Sequence, residues 1–326
     1  MVGIEDIKYY LPRKRLTNQE LEQKFEFDES FLSLKLGIHE RPVADNGEAC
    51  SDLAFKACRK IFEEGKVEPH EIGLLILCTQ NSDYKLPHTS AILQDRLKLS
   101  KHIIAFDINL GCSGFVYSIA VAKAIMNMFH IKKGFVITSD PYSKIIHSED
   151  RDCLPIFGDA ATATLLSEDG FMGIMDFTFG TEGSSHKELI VKEGGSRYPI
   201  GTNDVTSEAL RSRCLYMNGR SIFNFAMTNI PDDIKSCLKR NNLRIEEIDY
   251  FVFHQGSKYL LDCLAKGLNV DKSKVIYSLN STGNTVSSSI PIALAPYLNE
   301  NRKLNKKYLI SGFGVGLSWA SSVLVT

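Results

Sequence analysis

Residues 107–125 read DINLGCSGFVYSIAVAKAI and place one cysteine, Cys112, between two glycines where a strand should give way to a helix. The run HIIAFDI at residues 102–108 predicts a buried strand, and GFVYSIAVAKAIMNMFH from residue 114 predicts a helix that is apolar on most sides. Strand-like and helix-like segments alternate along the chain, which favours an α/β architecture. The cysteine at this junction is a candidate packing residue, disulfide partner, metal ligand or nucleophile.

The pattern around this cysteine recurs in the second part of the chain. Three blocks repeat in the same order with a nearly constant offset, which predicts two related halves near residues 1–170 and 171–326. The paired blocks are EIGLLILCTQ (71–80) with EIDYFVFHQG (247–256), NLGCSGFVYSIAVA (109–122) with NSTGNTVSSSIPIALA (280–295), and KKGFVITSD (132–140) with KKYLISGFG (306–314).

The repeat aligns Cys112 with Asn284 and Cys78 with His254. Equivalent points of two halves that pack about a pseudo-twofold axis can converge on one central site, so Cys112, His254 and Asn284 are candidates to meet. Taken alone, His254 is more typical of a core or surface histidine, although a polar ring at the end of a buried strand also suits the rim of an α/β cleft. Asn284 alone is more typical of a turn or N-cap asparagine.

A nucleophilic role for Cys112 has a physical basis. A thiol at a helix start feels the positive end of the backbone dipole, which favours the thiolate. Gly111 and Gly114 allow a tight turn and let a substrate carbonyl approach the backbone, so the Cys112 N–H would lie near a developing oxyanion. The alternative is a small residue at a crowded turn.

The composition limits the class of protein. The 326 residues are 44% hydrophobic and 24% charged with a net charge of −1, which predicts a globule with a large core and no bulk attraction to nucleic acid or membrane. The sequence contains neither a membrane-length apolar run nor a signal-peptide pattern, so we expect a cytoplasmic protein. The eight cysteines form no C-x-x-C pair or zinc spacing, so we expect most to be buried and no metal to be bound.

The C-terminal stretch SGFGVGLSWASSVLV, residues 311–325, has glycines at alternate positions before an apolar strand. It lacks the G-x-G-x-x-G pattern that opens a helix, so no dinucleotide cofactor is indicated. It predicts either a tight loop that lends an N–H to a reaction centre or a plain turn between strands.

Together these motifs resemble the β-ketoacyl-acyl carrier protein synthase III family of the thiolase fold. GCSGF, HQGS and STGNTVSSSIP resemble its Cys–His–Asn triad at Cys112, His254 and Asn284. The other similar segments are LGIHERPVAD (36–45), DRDCLPIFGDAATATLL (150–166), YMNGRSIFNFA (216–226) and GFGVGLSWASSVL (312–324). The resemblance covers nearly the whole chain and implies a five-layered α/β/α/β/α fold with two pseudo-twofold-related halves, each a mixed sheet with helices.

The resemblance also implies a reaction. Cys112 would take an acyl group from acyl-CoA, and His254 and Asn284 would bind the malonyl thioester during a decarboxylative Claisen condensation. The backbone N–H groups of Cys112 and Val315 would hold the oxyanion. Malonyl would arrive on acyl carrier protein or on CoA, no metal or redox cofactor would be needed, and the β-ketoacyl product would serve fatty-acid initiation or a specialised pathway.

The resemblance also implies which residues contact CoA and which form the acyl pocket. It implies in addition that the protein is a homodimer. Phe31 and Arg151 would sandwich the CoA adenine with Lys35 near the phosphates. The remaining CoA contacts would be Gly219, Gly256 and Ser257. The acyl pocket would be formed by Leu86, Tyr142, Phe157 and Phe223, with Leu86 on the loop that reaches the partner subunit.

Five positions depart from the family pattern. Phe31 stands where tryptophan is common, and Lys35 where arginine is common. Ser257 and Tyr259 replace the asparagine and arginine of Q-A-N-x-R, and Val315 replaces the middle glycine of the last loop. The triad itself is intact, which disfavours a purely structural protein. A non-condensing acyltransferase that passes the acyl group to an alcohol or amine is the alternative function.

Overall fold

The computed structural model describes residues 1–28, 30–200, 206–299 and 302–326. The strands in this part are β1 (Gly3–Tyr10), β2 (Lys14–Thr17), β3 (Glu40–Val43), β4 (Ile72–Cys78), β5 (Ile104–Ile108), β6 (Lys133–Asp140), β7 (Ala160–Ser167), β8 (Met172–Thr181), β9 (Leu189–Val191), β10 (Leu215–Met217), β11 (Tyr250–Phe253), β12 (Lys307–Gly314) and β13 (Ser318–Val325). The α-helices are α1 (Asn18–Phe25), α2 (Cys50–Glu63), α3 (Thr89–Arg96), α4 (Gly114–Phe129), α5 (Ser207–Ser212), α6 (Gly219–Arg240), α7 (Lys258–Gly267) and α8 (Ser289–Leu298). A π-helical turn spans Phe31–Leu36.

Among the described residues, nine strands form one mixed sheet in the order β11-β12-β13-β8-β1-β7-β6-β4-β5. In its N-terminal part, β4 pairs in parallel with β5 and β6, whereas β6–β7 and β7–β1 are antiparallel. The C-terminal part repeats this scheme, with β11–β12 parallel and β12–β13 and β13–β8 antiparallel. The two parts join where Gly3 and Ile4 pair with β8. The predicted α/β fold with two equivalent mixed-sheet parts is therefore confirmed, while the boundary near residue 170, between β7 and β8, stays a prediction.

The helices form layers around this sheet. Helices α2 and α3 contact strands of the N-terminal part, and α6 contacts β8, β12 and β13 of the C-terminal part. Helix α4 lies between the two parts, because it contacts β4 and β6 on one side and β12 and β13 on the other. Helix α8 is its neighbour in the same layer and contacts β1, β7 and β11. The arrangement gives the α/β/α/β/α order that the resemblance implies.

The central layer explains the apolar composition of α4. Phe115, Val116, Ile119 and Ala122 are fully buried, as the sequence predicts. The strand predicted from HIIAFDI is confirmed as β5, but its predicted burial is wrong. β5 is the last strand of the sheet order, and every one of its residues is half-buried.

All eight cysteines are free thiols, and six of them are buried, which agrees with the expected packing role for most of them. In the described ranges, no group of three side chains is arranged to hold a metal ion. No helix in those ranges is long and apolar enough to cross a membrane. The predicted cytoplasmic location stays a prediction.

Candidate active site

Cys112 lies in the tight turn between β5 and α4. The turn is closed by the Gly114 N–H, which donates to the Gly111 carbonyl at 2.7 Å. A Cβ atom on Gly111 would lie 2.7 Å from Cγ1 of Val315, and a Cβ atom on Gly114 would overlap the Cys78 sulfur. The two glycines are therefore required by packing, which adds a structural reason to the one that the sequence suggested.

Strand β12 passes directly beside this turn. A Cβ atom on Gly314 would lie 2.8 Å from Cβ and 2.9 Å from Sγ of Cys112. A Cβ atom on Gly312 would lie 2.7 Å from the Cys112 carbonyl oxygen. Both glycines belong to β12 and not to the loop after it, so the alternating glycines of the C-terminal motif make room for the cysteine.

Two backbone N–H groups converge on the Cys112 sulfur, those of Cys112 itself and of Val315. The turn that carries Val315 is fixed to the cysteine turn by two hydroxyl groups. Ser318 Oγ donates to the Val315 carbonyl at 2.8 Å and lies 2.8 Å from Ser113 Oγ. These contacts hold the turn of Val315 against the turn of Cys112, and the oxyanion role of the two N–H groups stays a prediction.

The electrostatics of the thiol differ from the sequence expectation. Burial raises the pKa of Cys112 to about 12, and the negative charge of Asp140 adds to the increase. The N–H groups of Cys112 and Val315 act in the opposite direction but do not outweigh burial. In the free protein, burial therefore opposes the thiolate that the position at the helix start favours.

Asp140, at the end of β6, is fully buried near this thiol. Its carboxylate accepts from the Gln80 N–H at 2.8 Å, from Thr79 Oγ1 at 3.4 Å and from Ser287 Oγ. Burial nevertheless raises the pKa of Asp140 to about 6. One buried carboxylate thus connects the segments after β4 and β6 to the segment that follows Asn284.

His254 follows β11 and is 3% exposed. Its Nδ1 lies 2.8 Å from Ser289 Oγ at the start of α8, and its ring packs edge-on against Phe313. Burial lowers the pKa of His254 to about 3, against a smaller opposing effect from the backbone of Val286. The ring is therefore neutral at neutral pH, and Nε2 is the nitrogen left for the cavity.

Asn284 is held by backbone pairing with the segment around Phe157. Its N–H donates to the Ile156 carbonyl at 2.8 Å, and its carbonyl accepts from the Gly158 N–H at 3.0 Å. The side-chain Oδ1 accepts from the Val286 N–H at 2.9 Å, which leaves the two Nδ2 protons for another acceptor. Asn284 is thus oriented as a hydrogen-bond donor.

Cys112, His254 and Asn284 all line one cavity of about 150 Å³. The structure therefore brings together the three residues that the internal repeat aligned. Five other predicted residues line the same cavity, namely Phe157, Gly219, Phe223, Gly256 and Ser257. Most of the remaining wall is apolar, so a charge that develops inside would depend on the few donors present.

The other predicted pocket residues lie in two different places. Tyr142 packs against Phe157 with 5.2 Å between ring centroids, and both belong to the apolar cluster that contains Cys112. Leu86 is 86% exposed and does not line the cavity in the described part of the chain. Phe157 therefore lines the cavity and Tyr142 packs against Phe157 without lining it, whereas Leu86 is not among the described residues that line the cavity of its own chain.

A second, larger cleft opens beside the cavity. Its volume is about 810 Å³, and it is lined by Phe31, Arg151, Gly219 and other residues. The cleft and the cavity share Leu36, Ile156, Met217 and Gly219, so they adjoin one another. Lys35 is exposed and is not among the described residues that line the cleft.

Ser257 and Tyr259, the two residues after His254 that depart from the family pattern, lie at the start of α7. Ser257 caps α7, because its side chain accepts from the Leu260 N–H at 3.2 Å. Tyr259 is 54% exposed and stacks on Phe223 with 5.6 Å between centroids. An uncharged aromatic pair, Phe223 and Tyr259, therefore stands where the family pattern would place an arginine.

Several residues of the site were not found from the sequence. Asp140, Ser287 and Ser289 act through contacts between segments far apart in the chain. Arg41 is also fully buried, and its Nε donates to the Pro155 carbonyl at 2.7 Å beside the segment that pairs with Asn284. Asp140 ends the apolar block FVITSD, and Arg41 lies within ERPVA. A charged residue in an apolar block is the signal that could have identified these two residues from the sequence.

Two family models match the chain. A model described as 3-oxoacyl-[acyl-carrier-protein (ACP)] synthase III matches residues 106–183, and one for the C-terminal part of that protein matches residues 238–326. The chain is also 34% identical over 325 residues to the β-ketoacyl-[acyl-carrier-protein] synthase III of Caldanaerobacter subterraneus subsp. tengcongensis, which covers 99% of this chain and 97% of that protein.

Solved structures show the same relationship. A 2.1 Å crystal structure of a 3-oxoacyl-(acyl-carrier-protein) synthase III has a TM-score of 0.94 and 35% identity and covers 100% of this chain and 99% of that one. The 3-oxoacyl-[acyl-carrier-protein] synthase III of Aquifex aeolicus VF5 has a TM-score of 0.88 and 28% identity, with 100% of both chains covered. The similarity therefore extends over the full length of the chain.

The buried carboxylate near the thiol gives a testable prediction. Asp140→Asn removes a negative charge from a low-dielectric interior, so we expect the pKa of Cys112 to fall. At pH 8, where Asp140 is ionised in the unmodified protein, alkylation of Cys112 by iodoacetamide should accelerate by about threefold for each unit by which the pKa falls, because the larger thiolate fraction outweighs the lower nucleophilicity of the thiolate. Peptide mass spectrometry after timed quenching measures the rate at Cys112.

Asp169→Asn, which removes an exposed carboxylate between β7 and β8, is the matched control and should leave the rate unchanged. Thermal unfolding of both variants establishes that they remain folded. A folded Asp140→Asn protein whose Cys112 reacts no faster would show that this carboxylate does not control the thiol.

Proposed function

Because the chain belongs to the β-ketoacyl-[acyl-carrier-protein] synthase III family, we propose that it condenses an acyl-CoA with a malonyl thioester to give a β-ketoacyl product. The observation that supports this proposal most directly is the shared cavity of Cys112, His254 and Asn284. Membership of the family makes the protein an acyl-transferring enzyme. The acyl group, the malonyl carrier and the roles of individual residues are parts of the proposal.

The first step is acyl transfer to Cys112. The sulfur attacks the thioester carbonyl, the bond between that carbon and the CoA sulfur breaks, and the thiol proton leaves with CoA as its thiol. The N–H groups of Cys112 and Val315 stabilise the oxyanion during the attack. Removal of one such donor typically lowers the rate by about 10²–10³-fold. A covalent acyl intermediate divides one difficult reaction into two easier ones.

The second step is the condensation. The malonyl thioester loses carbon dioxide, and the electron pair of the broken bond forms an enolate. Nε2 of His254 and Nδ2 of Asn284 donate hydrogen bonds to the enolate oxygen. The carbanion carbon then attacks the acyl carbonyl, and the Cys112 sulfur leaves. A neutral His254 can donate from Nε2 when Ser289 donates to Nδ1, and the low pKa of the ring favours this neutral form.

The two cavities differ in the part of the substrate that they suit. The cavity of about 150 Å³ is smaller than most sites for drug-sized ligands, and its wall is mainly apolar, so we propose a short acyl group there. The cleft of about 810 Å³ has room for the CoA nucleotide and is lined by Arg151 and Arg220, which outnumber the one acidic residue there, Asp152. The two arginine charges complement the phosphates of CoA.

A second subunit is part of the proposal. Strand β5 ends the sheet order, and its half-buried residues include Ile104, Phe106 and Ile108. An edge strand with apolar side chains favours pairing with another chain. We propose a homodimer formed through β5, in which the exposed Leu86 packs against the acyl pocket of the partner subunit.

Acylation of Cys112 is the first prediction of this proposal. We expect one member of a series of acyl-CoA thioesters to add its acyl mass to the intact protein, because the thiol lines the cavity. The adduct should be absent in Cys112→Ala. Intact-protein mass spectrometry after brief incubation measures it. A protein that gains no acyl mass from any thioester, or an adduct that persists in Cys112→Ala, would contradict the proposal.

The two steps can be separated by a second prediction. Asn284→Ala removes an enolate donor, so malonyl-CoA decarboxylation should fall by about 10²-fold or more while Cys112 acylation changes much less. Release of carbon dioxide and acyl adduct formation are measured on the same preparation. If malonyl decarboxylation is absent in the unmodified protein and transfer to an alcohol or amine persists in Asn284→Ala, the non-condensing acyltransferase is the correct function.

The dimer gives a third prediction. Sedimentation equilibrium should give twice the chain mass of 36.4 kDa. Leu86→Asp should shift the equilibrium toward monomer, because a carboxylate would be buried at the interface. Leu304→Asp, at another residue that is 70% exposed, is the matched control and should leave the mass unchanged. A monomer at all concentrations would refute the proposed assembly.

A further inference from the structure

The segment after α1 brings a third aromatic ring to the cleft beside the cavity. Helix α1 ends at Phe25, and Glu26 adopts a left-handed conformation with φ of 55°. The turn that follows places Phe27 among the residues that line the cleft, together with Phe31 and Arg151. None of the sequence motifs pointed to Phe27.

Phe27 engages both groups that the resemblance assigned to the adenine of CoA. Its ring stacks on Phe31 with 5.6 Å between centroids and 20° between planes. The guanidinium carbon of Arg151 lies 5.3 Å from the Phe27 centroid. A planar aromatic ring and a guanidinium group are the surfaces on which an adenine would stack. In the free chain, these surfaces are already in contact with a side chain of the protein.

The same short segment also holds Arg151 in place. Nη2 of Arg151 donates to the Phe25 carbonyl at 2.9 Å, while Phe27 covers its guanidinium. Phe25 and Phe27 are themselves in edge contact, with 5.7 Å between centroids. Phe27 is therefore packed on three neighbours, and an adenine that stacks on Phe31 and Arg151 competes with it for both surfaces.

We propose that Phe27 is a specificity-determining residue that occupies the adenine-stacking surfaces and disfavours thioester donors that carry a nucleotide. CoA must break the contacts of Phe27 with Phe31 and Arg151 before its adenine can stack. A donor that presents only a pantetheine arm breaks none of them. The enzyme thus uses acyl-pantetheine donors, including those attached to a carrier protein, relatively better than a chain without Phe27 would.

This inference rests on the proposed function, because it assumes that the cleft receives the nucleotide of CoA. It adds a preference that the family relationship does not supply, since it arises from a side chain outside the family motifs quoted above. The free energy of one aromatic pair and one cation–π contact sets the expected size of the effect on CoA affinity. Loss of both contacts corresponds to a change in affinity of about fivefold or more.

The test compares CoA binding with acylation by a donor that has no nucleotide. Isothermal titration calorimetry with CoA is carried out on the unmodified protein and on Phe27→Ala, Phe27→Leu and Phe27→Tyr. We expect CoA to bind more tightly, by about fivefold or more, to Phe27→Ala and Phe27→Leu than to the unmodified protein. Phe27→Leu keeps the apolar volume if alanine disturbs the turn. Phe27→Tyr keeps the ring and should bind CoA as the unmodified protein does.

Acylation of Cys112 by an S-acyl-pantetheine should proceed at the same rate in all four proteins. Phe129→Ala, at an exposed phenylalanine at the end of α4, is the matched control for both measurements. CoA affinity that is unchanged or weaker in Phe27→Ala and Phe27→Leu would overturn the proposal, as would an equal acceleration with acyl-CoA and acyl-pantetheine. Failure of both donors to acylate Cys112 would instead refute the proposed function, while CoA affinity still decides the role of Phe27.

Discussion

The close approach of β12 to the turn at Cys112 is the constraint on which the site depends. Gly312 and Gly314 leave no space for a side chain, so the backbone of one sheet part lies directly against the nucleophile candidate of the other. That contact fixes Val315 relative to Cys112. It also requires α4 to lie between the two sheet parts, where its apolar residues are buried on both sides. The central layer and the geometry of the site are therefore consequences of the same packing.

Exclusion of water determines the charge state of the site. Burial raises the pKa of Cys112 and lowers that of His254, so it favours the neutral form of both groups in the resting site. Asp140 is a buried acid whose negative charge also raises the pKa of the thiol. In such an interior, fixed dipoles act on a developing charge more strongly than they would in water. In the proposed reaction, the oxyanion and the enolate would depend on backbone N–H groups, an amide and a neutral ring.

Much of the fold and the core of the site could be predicted from the sequence. The alternation of segments and the repeat indicated an α/β fold with equivalent parts, and the residues aligned by the repeat do line one cavity. The predictions that concerned burial were weaker, because burial depends on neighbours far away in the chain. β5 is an edge strand and not a buried one, and the helix-start effect on Cys112 is outweighed by desolvation. Asp140, Ser289 and Phe27 depend on tertiary contacts, and their local sequence gives little sign of them.

The matched strand pairing of the two sheet parts has an evolutionary consequence. A protein made of one such part would expose the apolar face of its central helix and would be stable only as a pair of identical chains. Identical chains must carry the same residue at equivalent positions, so a thiol and an amide could not face each other there. Fusion of two copies removes that symmetry. It allows Cys112 and Asn284, which occupy equivalent turns before α4 and α8, to specialise independently within one polypeptide.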